Sequence, residues 1–163
     1  MVKREELISY TLYISKNKIP REIAEYIISF YYTWVFENKQ ELQKAIHEYD
    51  NGKYGDPNFW DVSNLKDMKF IFHCTEFNRD ISNWDVSNVK DMKSMFSCGE
   101  FNGDISNWDV SNVENMEEMF YNSKFNGDIS KWNINNVKNI KNMFRFSWKY
   151  WASLYGISKL FGK

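Results

Sequence analysis

The chain has 163 residues, a formal net charge of −1, two cysteines and 18% aromatic residues. This length supports one hydrophobic core, and the near-neutral charge lacks the electrostatic footprint that nucleic-acid binding needs. Seven tryptophans exclude a disordered polymer, and two cysteines exclude a disulfide scaffold.

The amino-terminal stretch MVKREELISYTLYISKNK lacks the apolar core of a signal peptide. No apolar run reaches the roughly 18 residues that would suggest a membrane span. An intracellular setting is therefore expected, in a host cytoplasm or a virion if the chain is viral. Leu7, Ile8, Leu12 and Tyr13 fall at helical spacing. Pro20 sits where the first turn of a second helix accepts proline, and Ile19, Ile23, Ile27 and Phe30 mark one face of it. A third helix is predicted over NKQELQKAIHEY, with Leu42, Ala45, Ile46 and Tyr49 on one side. DNGKYGDP, residues 50–57, is turn chemistry and closes this region. Residues 1–52 are thus expected to form a helical cap.

Beyond it the chain repeats itself. Trp60, Trp84, Trp108 and Trp132 recur every 24 residues, in step with Phe72, Phe96, Phe120 and Phe144. Val62, Val86, Val110 and Ile134 keep the same register, as do Leu65, Val89, Val113 and Val137, and Met68, Met92, Met116 and Ile140. Asp56, Asp80, Asp104 and Asp128 complete it. Residues 53–146 are four units, the first degenerate at its start. Within a unit Ile81, Trp84 and Val86 have the L-x-x-L-x-L spacing of a leucine-rich-repeat strand, while Val89, Met92, Met95 and Phe96 have the spacing of a short helical face. The expectation is an α/β leucine-rich-repeat-like solenoid of strand–turn–helix coils, with the tryptophan and phenylalanine columns as its spine. Residues 145–163 hold 4 basic groups and no acidic one, and residues 147–163 form the tail. Their aromatics, Trp148, Trp151 and Tyr155 among them, are expected to cap the last coil, with a membrane interface as the less favoured use.

The unit FNxDIxxWDVSNVxxMxxMF resembles the repeat of BspA-like leucine-rich-repeat proteins, found in mycoplasma surface lipoproteins, in protists and in large DNA viruses. The resemblance implies non-enzymatic adhesion or protein–protein binding. A second, weaker resemblance, carried by Ile19, Pro20, Glu22, Ile23, Ile27 and Phe30, is to the opening of an F-box, over residues 19–34. It implies a substrate adaptor of a ubiquitin ligase. A structural part of a larger assembly, such as a virus particle, is a further alternative.

Catalysis needs singular groups in one place, whereas most polar residues here recur. No P-loop, G-x-S-x-G, H-E-x-x-H or C-x-x-C occurs, so no enzyme and no cofactor is expected. Asp61, Asp85 and Asp109 form an outward strip that either meets a basic partner or Ca²⁺, or bonds the backbone at a turn. Residues 54–144 carry 9 basic and 14 acidic groups, a net of −5; the turn bond is favoured over Ca²⁺ and weighs evenly against a basic protein partner. The Asp56–Asp128 column reads as turn residues. Cys74 and Cys98 share a column; a packed turn is favoured over a disulfide or a metal shared with His73. Arg79 breaks the column held by Gly103 and Gly127. The partner surface is therefore sought at Asp61, Asp85, Asp109 and Arg79 and in the tail at Trp148, Trp151 and Tyr155.

Overall fold

The computed structural model describes Lys16, Pro20, residues 34–49 and residues 54–147. The first two expected helices, nearly all of the F-box-like segment and the tail 148–163 lie outside these residues.

Helix α1 spans Lys39–His47. Asn38 caps it by accepting from the Glu41 N–H at 3.0 Å, and the Glu41 carboxylate accepts in turn from the Glu37 N–H at 3.2 Å. Two otherwise orphaned donors are thereby satisfied at the helix start. Leu42, Ala45 and Ile46 are its buried face. Just before it, Val35 pairs in parallel with Asp61, which ties the helical segment to the first unit. A 3₁₀ turn, Pro57–Phe59, leads into Trp60.

The 24-residue units stack upon one another. Asp67, Asp91, Asn115 and Asn139 form successive parallel bridges. In the first junction the N–H groups of Met68, Phe70, Phe72 and Cys74 donate to the carbonyls of Asp91, Lys93, Met95 and Ser97, and the next two junctions repeat this 24 and 48 residues on. The intervening N–H groups, of Ile71, His73 and Thr75, close turns within their own unit. Every second donor therefore reaches the next coil and every other one stays at home.

This corrects the expected strand–turn–helix coil. Among the described residues the coil-to-coil ladder lies at 67–74, 91–98 and 115–122, not at the Trp84–Val86 stretch. No helix follows it. Phe70 and Cys74, Ser94 and Cys98, Glu118 and Asn122, and Asn142 and Phe146 all have φ between 49° and 63°. Each is the third residue of a four-residue turn closed by an i→i+3 bond, the position at which type II turns demand positive φ. A helix tolerates no such residue. The turns bring residues three and four apart to one side, as a helix would, so the apolar spacing could not tell the two apart. The chemistry yields a test. Ser94→Gly should leave the protein as stable or up to about 1 kcal/mol more stable, because glycine meets positive φ without strain. In a helix the same change would destabilise, so the sign of the shift in a urea midpoint decides between the two backbones.

The core runs down the stack. Trp60, Trp84, Trp108 and Trp132 are all buried. Trp84 and Trp108 lie 6.4 Å apart and 4° from parallel. Phe72, Phe96, Phe120 and Phe144 form a second column with centroid steps of 5.2, 5.5 and 5.1 Å. Each indole N–H is also satisfied from behind: Trp84 donates to the Pro57 carbonyl, Trp108 to Ile81 and Trp132 to Ile105, at 2.8, 3.2 and 3.0 Å. A buried tryptophan needs such a partner, and the preceding coil supplies it. Among the described residues no helix is long and apolar enough to cross a membrane.

Candidate binding surface

Most polar columns serve the backbone. Asp61, Asp85 and Asp109 each accept the N–H of the serine two residues on, Ser63, Ser87 and Ser111, at 3.0 Å. The Ser63 and Ser87 hydroxyls add a bond of 2.6 Å to Asp61 and Asp85. Asn133 continues the pattern with Asn135 at 3.2 Å. Asp56, Asp80, Asp104 and Asp128 make the same turn one corner earlier, with acceptor distances of 3.0, 2.9, 2.9 and 2.8 Å. A third column, which sequence reasoning missed, is Asp67, Asp91, Asn115 and Asn139, bonding Lys69, Lys93, Glu117 and Lys141. The recurrence of Asp or Asn at that step was its signal. Asparagines tie the coils together: Asn88, Asn112 and Asn136 donate to the carbonyls of Ser63, Ser87 and Ser111.

These bonds set the acid behaviour. Hydrogen bonds from Ser106 and Ser111 hold the Asp104 and Asp109 carboxyls below their ordinary range. A hydrogen bond from Lys138 does so for Glu114, and one from Lys93 at 2.8 Å for Glu117. A carboxyl with a depressed folded pKa stabilises above its unfolded value, and the contribution disappears as pH falls through the folded one. The urea midpoint should therefore be level near neutrality and fall once pH drops below about 4. In Glu117→Gln that fall should be shallower.

The cysteines are free. Cys74 Sγ lies 3.3 Å from His73 Nε2. Desolvation, and then its neighbour Cys98, push the Cys74 thiol up. Among the described residues no group of three His, Cys, Asp or Glu side chains is placed to hold a metal ion. Both cysteines stand at positive-φ turn positions.

The residues that break the repeat converge elsewhere. A pocket of about 570 Å³ opens between the end of α1 and the junction of the first two coils, lined by His47 and Tyr49 on one side and by Cys74, Glu76, Phe77 and Arg79 on the other. Its floor is aromatic, since Tyr49 packs edge-on against both Trp60 and Phe77. The Arg79 guanidinium lies 5.4 Å over the Tyr49 ring. In the third and fourth units this position is glycine, and a Cβ at Gly103 or Gly127 would come within 2.9 or 2.6 Å of the Phe101 or Phe125 ring, which would have to shift. In the second unit Phe77 packs edge-on against Tyr49 at 5.8 Å, and the column carries the long cationic side chain of Arg79. Arg79 was singled out in the sequence as a break in the glycine column, but His47 and Tyr49 were not, because nothing local says that the end of α1 faces this break. Trp148, Trp151 and Tyr155 lie outside the described residues. Asp61, Asp85 and Asp109 line a different stretch and do not join the pocket.

A family model described as "Mycoplasma protein of unknown function, DUF285" matches residues 32–154. The chain belongs to the DUF285 family. No curated protein matches it, and no solved structure does. The DUF285 match begins ahead of α1 and covers all four units, so the pocket-lining residues fall within the family's own span.

Proposed function

We propose that this DUF285 chain is a non-enzymatic protein-binding module, a short leucine-rich-repeat-like solenoid of the BspA-like kind. The stacking of units through bonds 24 residues apart supports the solenoid reading. The carrying observation for binding is the placement of Arg79. The recurring acidic and amide side chains are engaged in turns and coil-to-coil bonds, whereas Arg79 departs from the repeat, stands over an aromatic ring and opens onto a pocket. An arginine held on an aromatic face beside a concavity suits an acidic or carbonyl-rich protein segment, and arginine is among the residues that dominate interface energies.

The test is quantitative capture from the native host by the wild-type chain and by Arg79→Glu, followed by titration of the recovered partner. Arg79 is exposed, so the variant should keep its urea midpoint while its affinity falls by about tenfold or more. Equal capture of the same partner by both chains would remove the pocket from the reading.

A further inference from the structure

Cys74 and Cys98 hold one column in the first two coils, and Asn122 and Phe146 hold it in the next two. The Cys74 N–H donates to the Ser97 carbonyl at 2.9 Å, and the two cysteines have φ of 54° and 55°. Their side chains therefore leave the backbone in the same direction, from strands that lie about 4.8 Å apart. A disulfide spans Cα separations of about 4.4–6.8 Å, so the pair stands within its reach. Both are free thiols.

Their surroundings differ. Cys74 is exposed and opens onto the pocket that Arg79 lines. Its sulfur lies 3.3 Å from His73 Nε2, and the imidazole rests edge-on against the Phe70 ring at 5.6 Å. Cys98 is half-buried, and its sulfur accepts from the Ser97 hydroxyl at 3.7 Å and from the Asn122 amide at 3.8 Å. The later coils place Ser97, Tyr121 and Arg145 where the first has His73. One thiol thus meets small solutes with an imidazole at its side, while two donors fix the orientation of the other. Desolvation, and then Cys98, push the Cys74 thiol up, so it is protonated near neutrality. Only a thiolate attacks, so a base has to take the proton. His73, in the tautomer that leaves Nε2 unprotonated, is in reach to do so.

We propose that Cys74, His73 and Cys98 form a peroxide-reactive dithiol site: Cys74 attacks, His73 takes its proton, and Cys98 converts the product into a disulfide between the first two coils. The Cys74 proton passes to His73 Nε2 as the sulfur attacks one oxygen of hydrogen peroxide. The O–O bond breaks, and the departing hydroxide takes that proton to leave as water. Cys74 is then a sulfenic acid. Cys98 Sγ attacks Cys74 Sγ; the S–S bond forms, the S–O bond breaks, and the hydroxyl leaves with the Cys98 proton as a second water. Two thiols are oxidised and one peroxide is reduced. A thiol reductant reverses the change.

Hydrogen peroxide added to the reduced full chain tests this. The intact mass should fall by two hydrogens. A digest should return the Cys74 and Cys98 peptides as one species that a reductant separates. The rate should outpace that of free glutathione and stay the same across a hundredfold dilution. His73→Gln should slow it by about tenfold or more with the urea midpoint unchanged, since His73 is exposed. Cys98→Ser should stop at a sulfenic acid on Cys74, which dimedone traps. Thiols that stay reduced in the wild-type chain while glutathione is consumed would overturn the proposal without any variant. Cross-links formed only between chains would overturn it too, as would an undiminished rate in His73→Gln.

Discussion

Trp108→Ala is expected to remove about 3–5 kcal/mol of stability, a large share of the roughly 5–15 kcal/mol that holds a domain of this size. Three losses combine. The indole is 4% exposed, so nearly all of its apolar surface returns to water or leaves a void. It stacks on Trp84 at 6.4 Å and leans on Phe96 at 6.1 Å, so the cavity opens between two coils. Its N–H also satisfies the buried Ile81 carbonyl, which alanine would orphan. Trp108→Phe separates these terms: it keeps much of the ring contact and loses the hydrogen bond, and should cost about 1–3 kcal/mol. Urea titrations should therefore rank wild type above Trp108→Phe and Trp108→Ala lowest. If phenylalanine and alanine proved equally costly, the stacking of the tryptophan column would not be what stabilises it.

Phe96→Ala should be comparably severe, again about 3–5 kcal/mol, for a different geometric reason. Phe96 is fully buried and touches rings on every side: Phe72 at 5.2 Å, Phe120 at 5.5 Å, Phe101 at 4.5 Å and Trp108 at 6.1 Å. Phe144 holds the same column at the end of the stack, where its one described ring neighbour is Phe120 at 5.1 Å. Phe144→Ala should therefore cost less, about 2 kcal/mol or under, since fewer neighbours face the void. A stack in which each coil contacts its neighbours predicts this difference between middle and end. Equal costs would indicate a core not organised coil by coil.

The residues that form the core could be read from the 24-residue step, because each column must repeat wherever the same environment repeats. Trp84, Val86, Val89, Met92 and Phe96 are all buried. The path of the backbone between them could not. Met92, Met95 and Phe96 fall at helical spacing, but Ser94 and Cys98 adopt positive φ, and nothing in serine or cysteine announces it. In two of the later coils asparagine, which tolerates that conformation, stands at such positions, as Asn122 and Asn142, and it was the faint sign available. The pocket was half legible. Arg79 stood out against Gly103 and Gly127, whereas Tyr49 and His47 meet it through long-range packing of α1 on the first coil. The acidic strip, by contrast, lies on the turns that its own side chains close.

The alternation of donors within each coil gives the molecule an electrical direction. The peptide groups joining Asp67 to Met68, Lys69 to Phe70, Ile71 to Phe72 and His73 to Cys74 each place an N–H toward the next coil, and the counterparts at 91–98 and 115–122 do the same. Each such group carries a dipole of about 3.5 D, so those of successive coils add head to tail, as they do in a helix. Bonds at the margins of the segment, such as Lys90 to Lys66 and Glu100 to Thr75, run the other way and confine the effect to this strip. Along it the last coil presents a partial positive charge, strengthened by Lys141 and Arg145, and the first coil a partial negative one. The two ends of one repeating surface are therefore electrostatically unlike, and an anion approaching the molecule meets two distinct poles on a chain whose net charge is only −1.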